Sequence, residues 1–207
     1  MILYVDSQFA SPYAMSVFVA LTEKQLPFEI EPLDLAAGAN RSTAFSRTSL
    51  TQRVPTLVDG DFALSESSAI TEYLDEAYPR PPIYPAEPRA RGRARQVQAW
   101  LRSDLMPLRM ERPTEVIFYR PVPEPLSLAA QTASQKLFAG AQELLRHGHP
   151  NLFDEWSIAD VDLAVMLNRL ILNGDDVPAD LVRYAGGQWQ RPSVQRWVRM
   201  ERPPLPK

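Results

Sequence analysis

Over the first third of the chain apolar positions fall in short runs with strand-like alternation, and over the rest they recur at helical spacing. Residues 2–5 form an apolar run closed by Asp6-Ser7, which predicts a first strand. Ser11-Pro12 then supplies a cap and a proline at the first helical position, where the missing N–H costs nothing. Met15, Phe18, Val19, Leu21 and Thr22 give that helix its inner side, and Gln25-Leu26-Pro27 stops it. Phe28-Glu29-Ile30-Glu31 alternates as a half-buried second strand should. The stretch 34–52 carries little pattern beyond a weak helix over 42–47. Thr56-Leu57-Val58 and Phe62-Ala63-Leu64 then flank Asp59-Gly60-Asp61, and an Asp-Gly step between two such runs predicts a hairpin. Ser65, Glu66, Ser67 and Ser68 lead into Ala69, Ile70, Tyr73, Leu74 and Ala77, one face of a helix.

Beyond this point the pattern is helical throughout. Helices are predicted over 89–106, with a bend at Pro107, over 128–146 and over 158–172. At the start of the last, Ser157-Ile158-Ala159-Asp160 has the spacing of a capping box, with Trp156 and Val161 in the staple positions. Pro79, Pro81, Pro82, Pro85 and Pro88 make a stiff connector. The expected division is therefore an α/β domain over 1–80, a linker over 81–88 and an all-helical domain over 89–207. The order strand-helix-strand-helix-strand-strand-helix is that of a thioredoxin-like domain, so the expected fold is a thioredoxin-like domain followed by a C-terminal helical bundle.

Composition narrows the chemistry. At 207 residues the chain can bury a sizeable core, and it contains no cysteine, so any thiol chemistry must come from a ligand. No apolar run approaches the ~20 residues that span a bilayer, and the N-terminus lacks the order of a signal peptide, so no membrane partner and a cytoplasmic location are expected. Residues 1–80 hold 11 acids against 5 bases and residues 81–207 hold 14 against 17, an asymmetry that supports two domains. Seven arginines lie between Arg89 and Arg112, but Val97, Trp100, Leu101 and Leu105 place them on the solvated side of an amphipathic helix. With a net charge of −3, nucleic acid is not an expected partner. His147 and His149 sit in a Gly-Pro loop, and no metal site is expected.

Candidate chemistry concentrates in 53–74. A helix start exposes unpaired N–H groups and a partial positive charge, while Glu66 adds a negative charge beside it. A zwitterion with an ammonium and a carboxylate on one carbon suits both; helix capping by Glu66 and Ser67 is the plainer reading. Val54-Pro55 opens the hairpin, and main chain exposed there can pair with a peptide-like ligand.

The Val-Pro step followed by Glu66-Ser67-Ser68-Ala69-Ile70 resembles the glutathione-binding signature of the glutathione S-transferase superfamily. The resemblance implies that Pro55 is cis, that the Val54 backbone pairs with the cysteinyl part of glutathione, and that Glu66 faces the γ-glutamyl ammonium and Ser67 its carboxylate, with Arg53 in the same site. It places the thiol-activating hydroxyl after the first strand, where Ser11 stands. A free thiol is only a few per cent ionised at neutral pH. One hydrogen bond to a charged group, about 1.5–3 kcal/mol, corresponds to a lowering of roughly one to two pKa units. Tyr4, Ser7, Tyr13, backbone N–H groups and a purely capping role for Ser11 remain open beside this reading. The segments Arg53-Val-Pro, 64–70, 98–107 and 160–169 are similar to a bacterial YfcF-like branch. That branch implies glutathione-dependent peroxidase activity, weak conjugation of aryl halides, a role in detoxification and oxidative stress, and an acceptor site near Ser11 and the helix bearing Trp100 and Asp104. The superfamily implies a homodimer, with Arg89, Arg91, Arg93 and Arg95 meeting Glu72, Asp75 and Glu76. Two alternatives are a non-catalytic protein-binding module of the same fold and a glutathione-dependent isomerase of the maleylacetoacetate type, from whose serine-rich, cysteine-containing motif Ser11-Pro12-Tyr13-Ala14 departs.

Overall fold

The computed structural model describes residues 1–205. Its first compact unit is 1–83 together with the chain from Pro192, and its second is 84–191. The first unit runs β1 (Ile2–Asp6), α1 (Pro12–Glu23), β2 (Glu29–Leu33), a 3₁₀ turn (Ala39–Arg41), α2 (Thr43–Thr48), β3 (Thr56–Asp59), β4 (Phe62–Ser65) and α3 (Ser67–Ala77). The sheet order is β2-β1-β3-β4, with β1 parallel to β2 and antiparallel to β3, and β3 antiparallel to β4. This is the expected thioredoxin-like arrangement, element for element.

Helix α1 packs against α3 and is buried nearly all round, which is why its apolar positions form a near-continuous run from Ala14 to Leu21. At its C-terminal end Lys24 is buried, donating to Asp75 Oδ1 (3.2 Å), Tyr78 O (2.6 Å) and Pro81 O (2.8 Å). Asp75 also accepts from Ile83 N (2.8 Å). One lysine thus ties α1 to the end of α3 and to the segment that leaves the unit.

The second unit holds α4 (Pro88–Ser103), α5 (Met106–Glu111), α6 (Glu115–Phe118), α7 (Leu128–Leu144), α8 (Ile158–Ile171) and α9 (Ala179–Trp189). The predicted bend at Pro107 is a break two residues earlier, where Leu105 adopts φ +61° and its N–H is taken by Asp104 Oδ1 at 2.7 Å. Helix α8 is its buried centre. The expected capping box is present: Asp160 accepts from Ser157 N (2.9 Å) and Ser157 Oγ (3.1 Å), and also from Leu152 N (2.7 Å) and Tyr184 Oη (2.9 Å).

The last helix, α10 (Pro192–Val198), differs from the expected 89–207 grouping. It packs on α1, with fully buried Trp197 against Phe18 at 5.2 Å between ring centroids, so the chain ends in the unit where it began. Helices α6 and α10 escaped the sequence reading because each is short; α9, as long as α3, escaped it because it starts after Pro178 with no side-chain cap and carries Gly186-Gly187.

Candidate functional site

Strand register gathers the candidate residues of the first unit. Tyr4 lies opposite Thr56 and Thr56 opposite Ser65, a row of three residues across β1, β3 and β4. With strands about 4.8 Å apart, that row is about 10 Å wide. At this one end of the sheet β1 leaves towards Ser11, β3 begins just after Val54-Pro55, and β4 runs into Glu66 and Ser67. Three separate segments therefore meet at one sheet end, which spacing along the sequence could not establish.

The Val54–Pro55 bond is cis, and Pro55 directly precedes the first residue of β3. β3 is an inner strand of the sheet, so the proline marks a turn into it and not an edge. Buried Thr56 fixes that turn: its hydroxyl makes hydrogen bonds to Arg53 O (2.8 Å) and Ser49 Oγ (2.8 Å), and Asn40 Nδ2 donates to Gln52 O (2.9 Å). Val54 itself lies two residues beyond the β-ladder, which begins at Thr56. Among the described residues its N–H and C=O make no hydrogen bond, which leaves them open to a ligand with an extended backbone. Arg53 projects as an exposed residue beside it.

Glu66 occupies the cap position of α3, yet its side chain makes no capping hydrogen bond. Its backbone sits at φ +75°, ψ 112°, a conformation that L-residues rarely adopt, and its carboxylate is exposed. The capping explanation for Glu66 therefore fails, and a strained residue holds an uncommitted charge at the helix mouth. Ser67 is buried as the first residue of α3.

Ser11 does cap its helix. Its Oγ accepts from Ala14 N at 3.2 Å. A hydroxyl has one donor and two acceptor lone pairs, so this cap leaves the O–H free to donate to a sulfur anion. Beneath the loop, buried Asp6 accepts from Ala10 N (2.7 Å) and Ser11 N (3.0 Å). Burial pushes its carboxyl above the ordinary aspartate value, against the pull of those two N–H groups and of the Arg202 charge. The positive end of α1 lies at the same place.

On the hairpin, Asp59 Oδ2 accepts from Tyr73 Oη (2.8 Å) and Tyr78 Oη (2.6 Å), and the shared carboxylate pushes the Tyr78 phenol up to about 12. The effect is to clamp the hairpin to α3, whose first turn carries Ser67.

Comparison with known proteins identifies the family. The family model for the glutathione S-transferase N-terminal domain matches residues 8–82, and that for its C-terminal domain matches 87–202. The chain belongs to the glutathione S-transferase family. Arabidopsis thaliana glutathione S-transferase Z2 is 29% identical over 99% of this chain and 94% of the relative. A zeta-class glutathione S-transferase of Euphorbia esula is 32% identical over 82% of this chain and 76% of its own. Among solved structures, a Burkholderia glutathione transferase homologue with bound glutathione is 46% identical, covers 95% of both chains and has a TM-score of 0.77. A Methylobacterium maleylacetoacetate isomerase with bound malonate and glutathione is 27% identical over the whole of both chains, with a TM-score of 0.77.

In the second unit, the Trp100 indole N–H donates to Asp104 Oδ2 (3.1 Å), which also pairs with Lys136. The Trp100 ring lies over Gly140, where a Cβ would come within 2.7 Å of it. Sequence reasoning missed the contribution of Asp6, Ser49 and Thr56, which act through main chain that folds over them, and no local spacing signals that. Among the described residues no cluster of acidic, histidine or cysteine side chains could hold a metal, and no helix is long and apolar enough to cross a membrane.

Proposed function

We propose that this protein is a glutathione-dependent transferase with peroxidase activity that uses the sheet end of its first unit to hold the tripeptide. The observation that carries the reading is Glu66, a strained, non-capping carboxylate at the mouth of α3. In this reading Glu66 faces the γ-glutamyl ammonium, while Ser67 and the first turn of α3 receive its carboxylate. The open main chain of Val54, beside cis Pro55, pairs with the cysteinyl unit, and Arg53 supplies positive charge at the same edge. The fit is chemical: each polar end of the tripeptide meets a group of the opposite kind.

Ser11 Oγ–H then donates to the sulfur and holds it as the thiolate, with the dipole of α1 in support. The thiolate attacks an electrophilic carbon, or the terminal oxygen of a hydroperoxide. In the second case the O–O bond breaks, the alkoxide takes a proton to become the alcohol, and a glutathione sulfenic acid remains. A second glutathione condenses with it, releasing water and the oxidised disulfide. The small hydrophobic or peroxide substrate needs no metal in this scheme, and a homodimer and a cytoplasmic role in detoxification accompany the proposal.

The zeta-class relatives favour a second reading. A probable maleylacetoacetate isomerase of Vibrio cholerae is 28% identical over 89% of this chain, and in this second reading the glutathione thiolate adds to a double bond of the substrate and leaves again after rotation about it. The absence of a cysteine near Ser11 ranks it second. A non-catalytic module is the remaining alternative. Calorimetric titration with glutathione, followed by turnover on cumene hydroperoxide, chlorodinitrobenzene and maleylacetoacetate, separates the three. The first reading expects binding and hydroperoxide turnover; isomerisation alone selects the second, and absence of binding contradicts both enzymes.

A further inference from the structure

The loop that carries Ser11 is held from two directions, and one of them is the far end of the chain. Arg202 reaches Phe9 O through both Nε and Nη2, each at 3.3 Å. The same guanidinium donates to Trp197 O (2.9 Å), Val198 O (2.8 Å) and Met200 O (2.9 Å), gathering the carbonyls at the C-terminus of α10. A planar fork with five donors can satisfy such a set at once, and a lysine cannot. The Phe9 ring meets Trp197 edge-on at 5.8 Å between centroids. Phe9 itself takes φ +49°, a left-handed conformation costly for a bulky residue and kept only where its surroundings over-determine it. From below, Asp6 binds the next two N–H groups, of Ala10 and Ser11. The three residues 9, 10 and 11 are thus gripped by a carbonyl contact, two amide contacts and a ring contact, all from side chains outside the loop.

We infer that Arg202 is a positioning residue for thiol activation, holding the Phe9–Ser11 loop so that the Ser11 hydroxyl and the start of α1 meet the glutathione sulfur. The inference rests on the proposed role of Ser11. Its consequence is that the segment from Trp197 to Arg202 tunes the chemistry of the first strand-helix turn, although it contacts no substrate in this scheme. Charge alone does not suffice for this, because the geometry requires one group to bridge Phe9 O to the carbonyls of Trp197 and Val198 in α10 and of Met200 just beyond it.

The test is the titration of the enzyme-bound glutathione thiol, followed by thiolate ultraviolet absorbance, in Arg202→Ala, Arg202→Lys, Ser11→Ala and Arg196→Ala. Arg196 lies within α10, over the Phe18 ring at 5.8 Å, and among the described residues makes no hydrogen bond to the loop, so it reports general loosening of α10. Arg202→Ala and Arg202→Lys are each expected to raise the bound thiol pKa by about one unit and to lower kcat about tenfold at saturating glutathione, with glutathione affinity within about twofold of the parent. Arg196→Ala is expected to lower only the melting temperature. In the Ser11→Ala background the effect of Arg202→Lys on the thiol is expected to vanish. A thiol pKa unchanged in folded Arg202→Lys, an equal shift in Arg196→Ala, or a shift that persists in full without the Ser11 hydroxyl would each overturn the inference. An unchanged thiol in Ser11→Ala alone would instead overturn the role of Ser11, which keeps the two failures distinct.

Discussion

At the scale of single residues, two hydroxyl and carboxylate positions that look alike in sequence behave differently. Ser11 and Glu66 both precede helices, but Ser11 caps its helix through Oγ while Glu66 makes no cap at all. For Ser11 the cap takes a lone pair of Oγ and the proposed catalytic duty takes its O–H, so they coexist. Ser11→Ala should therefore show two losses: about 1 kcal/mol of stability from the missing cap, and a rise of roughly one to two units in the bound thiol pKa. Denaturant unfolding measures the first and thiolate absorbance the second. Glu66 stood out in the sequence because it opens the consecutive run 66–70, which resembles a glutathione-binding signature. The positive φ of Glu66 was not legible, since backbone strain leaves no mark on residue identity.

At the scale of elements, alternation and capping signals set out β1, the hairpin, α1, α3, α7 and α8 within a few residues. The short α6 and α10 lack a long apolar period, and α9 starts without a side-chain cap and carries Gly186-Gly187, so none of the three was visible. Lys24 shows a related limit. A lysine at the end of an apolar helix reads as solvent-exposed, yet its side chain is fully buried against Asp75. Removing one partner of a buried pair leaves the other charge without compensation, so Lys24→Met is expected to cost about 3–5 kcal/mol in unfolding free energy. A cost under 1 kcal/mol in chemical denaturation would mean that the pair is dispensable. Asp160, at the head of α8, gives a pH signature. Burial raises its pKa above that in the unfolded chain, although hydrogen bonds from Leu152 N, Ser157 N, Tyr184 Oη and Ser157 Oγ oppose the rise. The folded state consequently binds more protons between the two values, and this group's contribution is full below the unfolded value and is lost as pH rises through the folded one. Asp160→Asn, which cannot ionise, should thus have a destabilisation that shrinks from acid towards neutral pH in urea titrations.

At the scale of the whole molecule, the family assignment follows from element order together with the motifs, whereas the return of the chain from Pro192 to the first unit and the oligomeric state do not. The dimer we propose must be drawn without Asp75, because that carboxylate is buried on Lys24 and Ile83 N. Glu72 and Glu76 of α3 are the acids that the proposal sets against the arginines of α4. Pairing of exposed charges weakens with salt, so sedimentation should show a dimer whose dissociation constant rises as ionic strength increases. A monomer at low salt and micromolar concentration would remove the pairing. The assignment of an acceptor substrate was not legible at any scale, since no consecutive motif encodes it. The central claim is that a chain with no thiol of its own holds one by its tripeptide carrier. A crystal structure of the protein with glutathione tests it most directly. The account predicts the cysteinyl main chain paired with Val54, the γ-glutamyl end at Glu66 and Ser67, and the sulfur within hydrogen-bond reach of Ser11 Oγ. A tripeptide bound elsewhere, or a sulfur remote from Ser11, would contradict it.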